Sequence, residues 1–170
     1  MRKFIVFILL LFVCLAGHAT VRIYSSSWSR LVGHKTLSVQ LSLDKIKYKK
    51  TRPFKEFLYK AKRAENWEAQ SLDYFIFEFN ERTLRLDFEI IPADKQQTEY
   101  KLVLIPDNVT GGGKISGNAV LLDTRNNEKL FSFTFESLDG DDDDEITLRD
   151  AMKDLGKDFG KLFYKFLKKL

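Results

Sequence analysis

The sequence predicts an α+β domain, with a largely antiparallel sheet of about five strands and two or three helices packed on one face of it. Several segments alternate apolar and polar residues, which is typical of strands with one buried side. Other segments carry apolar residues at helical spacing. Along the chain these segments follow the order strand, two helices, four strands, helix. Strands that follow one another through short turns favour antiparallel pairing.

The first nineteen residues are predicted to be a signal peptide rather than part of the fold. Arg2 and Lys3 form a positive start, and the apolar segment Phe4–Ala16 follows. Residues 17–19 (Gly-His-Ala) fit a small-x-small cleavage site, which would leave residues 20–170 as a single α+β domain. The apolar run is short for a transmembrane helix, and no later segment is apolar enough to span a membrane. We therefore expect an exported protein, periplasmic or secreted, without a transmembrane span in its mature chain.

Cysteine content and charge exclude several functions. The single cysteine, Cys14, lies inside the signal peptide, so the mature chain has neither a disulfide nor a thiol nucleophile. A lipid-anchor cysteine needs small residues before it, and Phe12 and Val13 stand there instead. Loss of Arg2 and Lys3 lowers the formal net charge from +4 to +2. That charge is too small for sequence-independent binding of nucleic acid, so we expect no nucleic-acid partner.

The N-terminal half is predicted to contain a strand and a helix. The segment Thr36–Leu43 alternates Leu and Val with Ser and Gln, which predicts a strand. Before it, Val21, Ile23 and Tyr24 are compatible with the start of an edge strand. The basic run Lys45–Arg52 is interpreted as a solvated loop, with a binding patch as the alternative. Pro53 then opens a helix. The apolar residues of this helix are Phe54, Phe57, Leu58 and Ala61.

A second helix is predicted from near Asn66 to Phe79. The stretch Tyr74–Phe79 also alternates like a strand. We interpret it as helix because the residues before it have helical spacing and no turn residue separates the two parts. The buried side of this helix is formed by Trp67, Leu72, Phe75, Ile76 and Phe79.

Four strands are predicted after this helix. The first alternates and ends before Pro92, and the second is apolar on both faces, which favours a central position in the sheet. The last two are joined by an Asn-rich turn and form a hairpin, and the run Gly111–Gly113 turns the chain into it. The four segments are Leu84–Ile90, Tyr100–Ile105, Ile115–Asp123 and Leu130–Phe135.

The last helix is predicted to begin at Thr147, because Thr147 and Asp150 resemble a capping box. Its apolar stripe predicts a core helix, and Gly156 and Gly160 predict a close approach to the sheet. The basic segment Lys157–Leu170 leaves peripheral contact with a membrane open as an alternative. The stripe consists of Leu148, Ala151, Leu155, Phe159, Leu162, Phe163 and Phe166.

No catalytic residue and no cofactor site is predicted. The mature chain has one histidine, His34, and it lacks a Cys–His pair and a Gly-x-Ser-x-Gly motif. The segment Gly111–Ile115 lacks the hydroxyl residue of a phosphate loop and fits a hairpin turn. Carboxylates are abundant, so hydrolysis by a carboxylate pair stays open, but no pair stands out. Enzymatic activity is therefore left open, with a non-enzymatic role favoured.

The acidic run before the last helix contains a candidate metal site. Asp139, Asp141 and Asp143 have the alternate spacing of a calcium loop. Asp144 replaces the glycine that such a loop requires, and Asp150 stands where a bidentate Glu is required. We favour a solvated loop whose carboxylates interact with the positive end of the following helix.

Three stretches resemble small secreted proteins of unknown function from Bacteroidetes-type bacteria: PFKEFL from Pro53, ENWEAQSLDYF from Glu65 and AMKDLGKDFGK from Ala151. The C-terminal half also resembles envelope domains related to the N-terminal domain of the Tol-system translocation protein. In those domains a strand ending in Leu-x-Asp, here Leu121–Asp123, pairs with an aromatic strand, and a helix follows. The resemblance implies a periplasmic or surface α+β domain that binds or scaffolds, and it carries no catalytic residues.

We therefore expect an exported, non-enzymatic binding or scaffolding domain of the bacterial cell envelope, with another envelope protein as its partner. Two alternatives remain. One is a secreted hydrolase that uses carboxylates on an envelope polymer. The other is a module that binds calcium through the acidic run, or a membrane surface through the C-terminal helix.

Overall fold

The computed structural model describes residues 20–23, 28–60, 67–137 and 144–169. The signal peptide predicted at residues 1–19 lies outside the described residues, and its cleavage stays a prediction. Eight strands and three helices lie within the described ranges. The strands are β1 (Thr20–Ile23), β2 (Thr36–Leu41), β3 (Lys47–Tyr48), β4 (Arg52–Pro53), β5 (Glu89–Pro92), β6 (Tyr100–Val109), β7 (Ile115–Asp123) and β8 (Glu128–Glu136). The helices are α1 (Phe54–Lys60), α2 (Trp67–Thr83) and α3 (Asp144–Leu167), and 3-10 turns cover Trp28–Leu31 and Leu84–Leu86.

The predicted α+β class is confirmed, but the predicted sheet was wrong in size and direction. The described strands form one mixed sheet of eight strands rather than an antiparallel sheet of about five. Its main path is β1-β8-β7-β6-β2-β5, and β3 and β4 join beside β6. β2 is parallel to both β5 and β6, and β3 is parallel to β6. The helices α1 and α2 and then residues 93–99 return the chain to the same end of the sheet, which makes these strands parallel.

The strand predicted at Leu84–Ile90 was wrong over its first half. Leu84–Leu86 form a 3-10 turn, and Asp87 has a left-handed backbone with φ of 53°. The strand β5 therefore begins only at Glu89. Leu84 is 71% exposed, so the alternating pattern there does not reflect packing on the sheet.

The basic run is not the simple loop that its composition suggests. It contains β3 and β4, which pair as a short hairpin. Tyr48 is buried against Phe57, whereas Lys47 is exposed. Lys49 and Lys50, which form the turn, have positive φ angles of 50° and 69°. The run thus contributes one buried aromatic residue and an exposed set of lysines.

The helical interpretation of Tyr74–Phe79 is confirmed, because all of it lies inside α2. Phe75 and Phe79 are fully buried, whereas Phe77 between them is 62% exposed. Residues four apart lie on the same side of a helix, and residues two apart do not. The burial pattern of the three phenylalanines therefore follows the helical period.

Helix α3 covers the sheet as its apolar stripe predicts. Ala151, Leu155, Phe159 and Phe163 are buried, and the Phe159 ring lies 5.5 Å from the ring of Phe133 on β8. The helix begins at Asp144, so the predicted start at Thr147 was wrong by nearly one turn. No helix in the described ranges is long and apolar enough to cross a membrane.

The glycines of α3 approach a helix rather than the sheet, which corrects the prediction for Gly156 and Gly160. A Cβ atom on Gly156 would clash with the carbonyl oxygen of Phe75 in α2. A Cβ on Gly160 would lie 2.7 Å from the Cβ of Arg82, also in α2. Glycine is needed at both positions because the two helices cross with their backbones close together.

Candidate binding surface on the open face of the sheet

The two faces of the central sheet differ because the described helices pack on the same side. Directly paired residues share a face, and successive residues along a strand alternate. Leu104, Ala119 and Phe133 form one paired row, and all three are buried under the helices. The next row contains Val103, Val120 and Ser132 and points to the other side. We call that other side the open face.

Four partly buried aliphatic residues lie together on the open face. Val103 pairs directly with Val120 across β6 and β7, and the neighbouring rows add one aliphatic residue each. The group spans two strands, which lie about 4.8 Å apart, and three successive rows of paired residues on this face. We call it the aliphatic strip, and it consists of Val103, Ile105, Val120 and Leu122.

Cations surround the aliphatic strip at both ends and along one side. Within the described chain none of them forms an ion pair. Their positions follow from the register. Lys101 on β6 and Lys129 on β8 both pair with Leu122. Arg22 on β1 pairs with Thr134, and Lys47 on β3 pairs with Asn108. The Nζ atom of Lys101 donates a hydrogen bond of 3.2 Å to the side-chain oxygen of Gln40. We call these residues the rim cations, and they are Arg22, Lys47, Lys101 and Lys129.

The acidic groups of this face are few and already have partners. Glu136 forms an ion pair of 3.2 Å with Lys114. Asp107 accepts a hydrogen bond of 3.2 Å from the hydroxyl of Ser116. Both carboxylates lie at the end of the face where β6 leads into β7. Apart from Asp94 in the wall of the adjoining groove, the rest of the open face therefore has positive character.

A groove of about 910 Å³ adjoins the aliphatic strip at the edge of β2. Leu122 and Lys101 line it, so the groove and the strip are continuous. Loop 93–99 forms one wall and is fixed across β2 because the backbone N–H of Ser38 donates to the Thr98 hydroxyl at 2.7 Å. Other lining residues supply amides (Gln40, Gln97 and Asn127) and apolar side chains (Leu43, Leu58 and Leu72).

An ion-pair cluster fixes the β7–β8 turn beside the groove. Asp123 is only 2% exposed, and Arg125 donates to its two carboxylate oxygens at 3.0 and 2.6 Å. The third guanidinium nitrogen of Arg125, Nη1, lies 2.7 Å from Oε1 of Glu99. These hydrogen bonds from Arg125 lower the pKa of Asp123 to about 2, and Asp123 in turn raises the pKa of Arg125.

A second ion pair fixes the same turn from the N-terminal side. Arg30 donates a hydrogen bond of 2.8 Å to Glu128, which raises the pKa of Arg30 and lowers the pKa of Glu128. Arg30 belongs to the 3-10 turn whose Trp28 ring stacks on Phe166 of α3 with centroids 4.7 Å apart. The turn beside the groove is thus connected to the helix layer.

The metal candidates of the sequence lie outside the described residues. Asp139, Asp141 and Asp143 fall in the gap between residues 137 and 144. Among the residues that are described, no group of three potential ligands is placed to hold a metal ion. His34 is half-buried, with its ring centroid 4.8 Å from that of Tyr100. Its Nε2 lies 3.9 Å from Glu99.

Sequence reasoning missed the open face as a site. The signal was present in Tyr100–Ile105, whose residues are apolar on both faces and predicted a central strand. A central position is confirmed, since β6 lies between β7 and β2. Because the helices that the structure describes cover one side of the sheet, the second apolar face of this strand stays partly exposed.

Two solved structures are distantly similar to this chain. No family model and no curated protein matches the chain. A PelC dodecamer from Paraburkholderia phytofirmans, in space group P6, has 14% identity and a TM-score of 0.45, with 82% of this chain and 95% of that chain covered. A single-substitution variant of PelC in space group C2 has 16% identity and a TM-score of 0.44 over the same shares. At these TM-scores the similarities carry no functional assignment.

Proposed function

We propose that this protein is an exported, non-enzymatic binding domain of the bacterial cell envelope, and that it binds its partner on the open face of the sheet. The observation that supports this most is the aliphatic strip, which lies on the side that no described helix covers. The groove is continuous with this strip and extends to Leu58 of α1 and Leu72 of α2. Contiguous apolar surface bordered by polar groups is characteristic of interaction sites. The signal peptide expected at residues 1–19 supplies the export step.

The groove has the size and chemistry of a binding site. Its volume of about 910 Å³ lies within the range of roughly 300–1,000 Å³ found for ligand sites. Side-chain amides at Gln40, Gln97 and Asn127 offer both donors and acceptors, and Leu58 and Leu72 offer apolar contact. A few convergent polar groups in an apolar groove orient a bound segment.

The lining of the groove favours binding over hydrolysis. A carboxylate mechanism needs two carboxyl groups that flank the scissile bond. Among the described residues that line the groove, Asp94 is the one carboxylate. The hydrolase alternative therefore stays a prediction without a structural observation that favours it.

Two measurements test the proposal. Fractionation of the producing bacterium, with sequencing of the N-terminus, should place the protein outside the cytoplasm with Thr20 as its first residue. Capture from solubilised envelope should recover one reproducible component with the wild type and lose it with Val120→Asp on the open face. Phe77→Asp, at an exposed position on α2, is the matched control and should retain the component. Cytoplasmic retention, or equal recovery with both variants, would refute the proposal.

A further inference from the structure

We propose that the open face docks an acidic amphipathic helix of a partner protein. The apolar side of that helix would lie on the aliphatic strip, and its carboxylates would face the rim cations. This inference rests on the proposed binding function and names the chemistry of the partner. It uses the same face of the sheet and needs no residue outside the described ranges.

The dimensions of the strip fit one helix. Val103 and Ile105 lie about 6.7 Å apart along β6. Val120 lies on the neighbouring strand, about 4.8 Å from Val103. Side chains three or four positions apart on a helix are about 5–6 Å apart and line one side. The strip can therefore receive two successive turns of a helix that is about 10 Å in diameter. The chain itself packs two helices on the opposite face of the same strands.

The charge of the face selects an acidic partner. Lys101 on β6 and Lys129 on β8 lie directly beside Leu122, one on each neighbouring strand. Neither lysine has a carboxylate partner within the described chain. Arg22 belongs to the row that continues through Thr134 and Asn118 to Ile105. Glutamates beside the apolar stripe of a docked helix would reach these cations. Opposite charges at the border of an interface raise the association rate and exclude partners of the wrong charge.

The same features disfavour two other occupants. A second copy of this chain would bring its own rim cations against Lys101 and Lys129, and like charges at an interface are unfavourable. A membrane would have to desolvate the amide of Asn118, which is exposed on this face, without a hydrogen-bond partner. A helix that carries polar side chains can hydrogen-bond to this amide.

The test measures binding of defined helical probes to the purified protein by calorimetry and by NMR shifts of backbone amides. The probe is a peptide of about 20 residues with a leucine stripe and flanking glutamates, long enough to be helical in water. The matched probe replaces each glutamate with lysine. We expect the acidic probe to bind and to shift β6, β7 and β8 amides, and the basic probe to bind at least about tenfold more weakly.

Variants locate the contact on the open face. The double variant Lys101→Glu with Lys129→Glu should weaken the acidic probe by at least about tenfold and should restore binding of the basic probe. The control is Lys55→Glu with Lys165→Glu, two exposed lysines on α1 and α3, which should change the affinity by no more than about twofold. Thermal unfolding of each variant confirms that the fold is retained.

Three results would overturn the inference. The first is equal binding of the acidic and basic probes. The second is saturable binding to vesicles of anionic phospholipid, lost with Lys101→Glu and Lys129→Glu, in the absence of probe binding. The third is a concentration-dependent dimer, seen by sedimentation, that Val120→Asp abolishes. If the acidic probe does not bind, but the wild type captures an envelope component that Val120→Asp does not capture, the inference is wrong and the proposed function stands. If the wild type also captures no component, both are wrong.

Discussion

The helix-covered face and the open face of the sheet share the same strands but differ in what their side chains do. Under the helices, aromatic rings interlock with centroids 5–6 Å apart, as in the contacts of Phe159 with Phe75 and Phe133. On the open face, small aliphatic side chains alternate with amides, hydroxyls and cations. The burial pattern indicates that stability comes mainly from the helix-covered face, and we propose that recognition uses the open face. Substitutions on the two faces should therefore have separable effects.

The largest effect on stability is expected from Phe159→Ala. This side chain is fully buried among Phe75, Phe133 and Phe135, so truncation leaves a cavity. The free energy of unfolding should fall by about 3–5 kcal/mol in a urea titration. Val120→Ala on the open face is the control and should cost no more than about 1 kcal/mol, because its side chain is already partly in water. Equal losses for the two variants would remove the distinction between the faces.

A smaller loss is expected from Gly156→Ala in α3. Alanine favours a helix by about 1 kcal/mol relative to glycine, but its Cβ would clash with the carbonyl oxygen of Phe75. The clash should push α2 and α3 apart, and the loss of packing between them should outweigh that gain. The free energy of unfolding should therefore fall by about 1–3 kcal/mol. Gly112→Ala, where no atom lies within 4 Å of the added Cβ, should be close to neutral. A stabilised Gly156→Ala variant would show that the helices do not approach this closely.

The pH dependence of Asp123→Asn comes next. The pKa of Asp123 is lowered from 3.8 to about 2 in the folded protein, mainly by hydrogen bonds from Arg125. Its ionised form therefore stabilises the fold fully above pH 4, and this contribution is lost as pH falls from about 4 to about 2. The difference in unfolding free energy between wild type and Asp123→Asn should be present at pH 7 and shrink over that window.

The control for this experiment is Asp73→Asn. Asp73 is an exposed carboxylate on α2 and has no ion pair within the described chain. We expect its substitution to leave stability at pH 7 nearly unchanged. A difference between wild type and Asp123→Asn that stays constant from pH 7 to pH 2 would contradict the ion-pair account.

The smallest effect on stability is expected from Val103→Thr on the open face. The two side chains have similar shapes, and the added hydroxyl can be solvated because the position is partly exposed. Unfolding free energy should change by less than about 1 kcal/mol, whereas capture of the envelope component should fall measurably. Unchanged capture with this variant would place the contact elsewhere on the molecule.

Local patterns predicted much of the fold because most of them reflect burial on one side. The alternation in Leu130–Phe135 is confirmed as β8, and the helical spacing around Phe75 and Phe79 is confirmed as α2. Alternation failed at Leu84, where the residues lie in an exposed 3-10 turn. A period of two shows that apolar and polar residues alternate, but it does not show whether a sheet lies beside them to bury the apolar ones.

The direction of the strands and the candidate site depend on tertiary arrangement, which local patterns do not contain. Helices between β2 and β5 make parallel pairing possible, but the sequence does not show that β6 would also pair with β2. The aliphatic strip joins Val103 to Val120 only through the register of β6 with β7. Its exposure also depends on α2 and α3 packing on the same side of the sheet. Each of these facts needs the folded molecule.

Site-specific cross-linking tests the central claim most directly, because removal of the predicted signal peptide would leave a chain without cysteine. A thiol-linked photoreactive group would be placed on the open face with Ser132→Cys and, as the matched position, on α2 with Asp73→Cys. Both proteins would be irradiated in the envelope fraction of the producing bacterium. The account predicts one discrete adduct from position 132 and none from position 73. An adduct from position 73 alone, or from both positions equally, would contradict it.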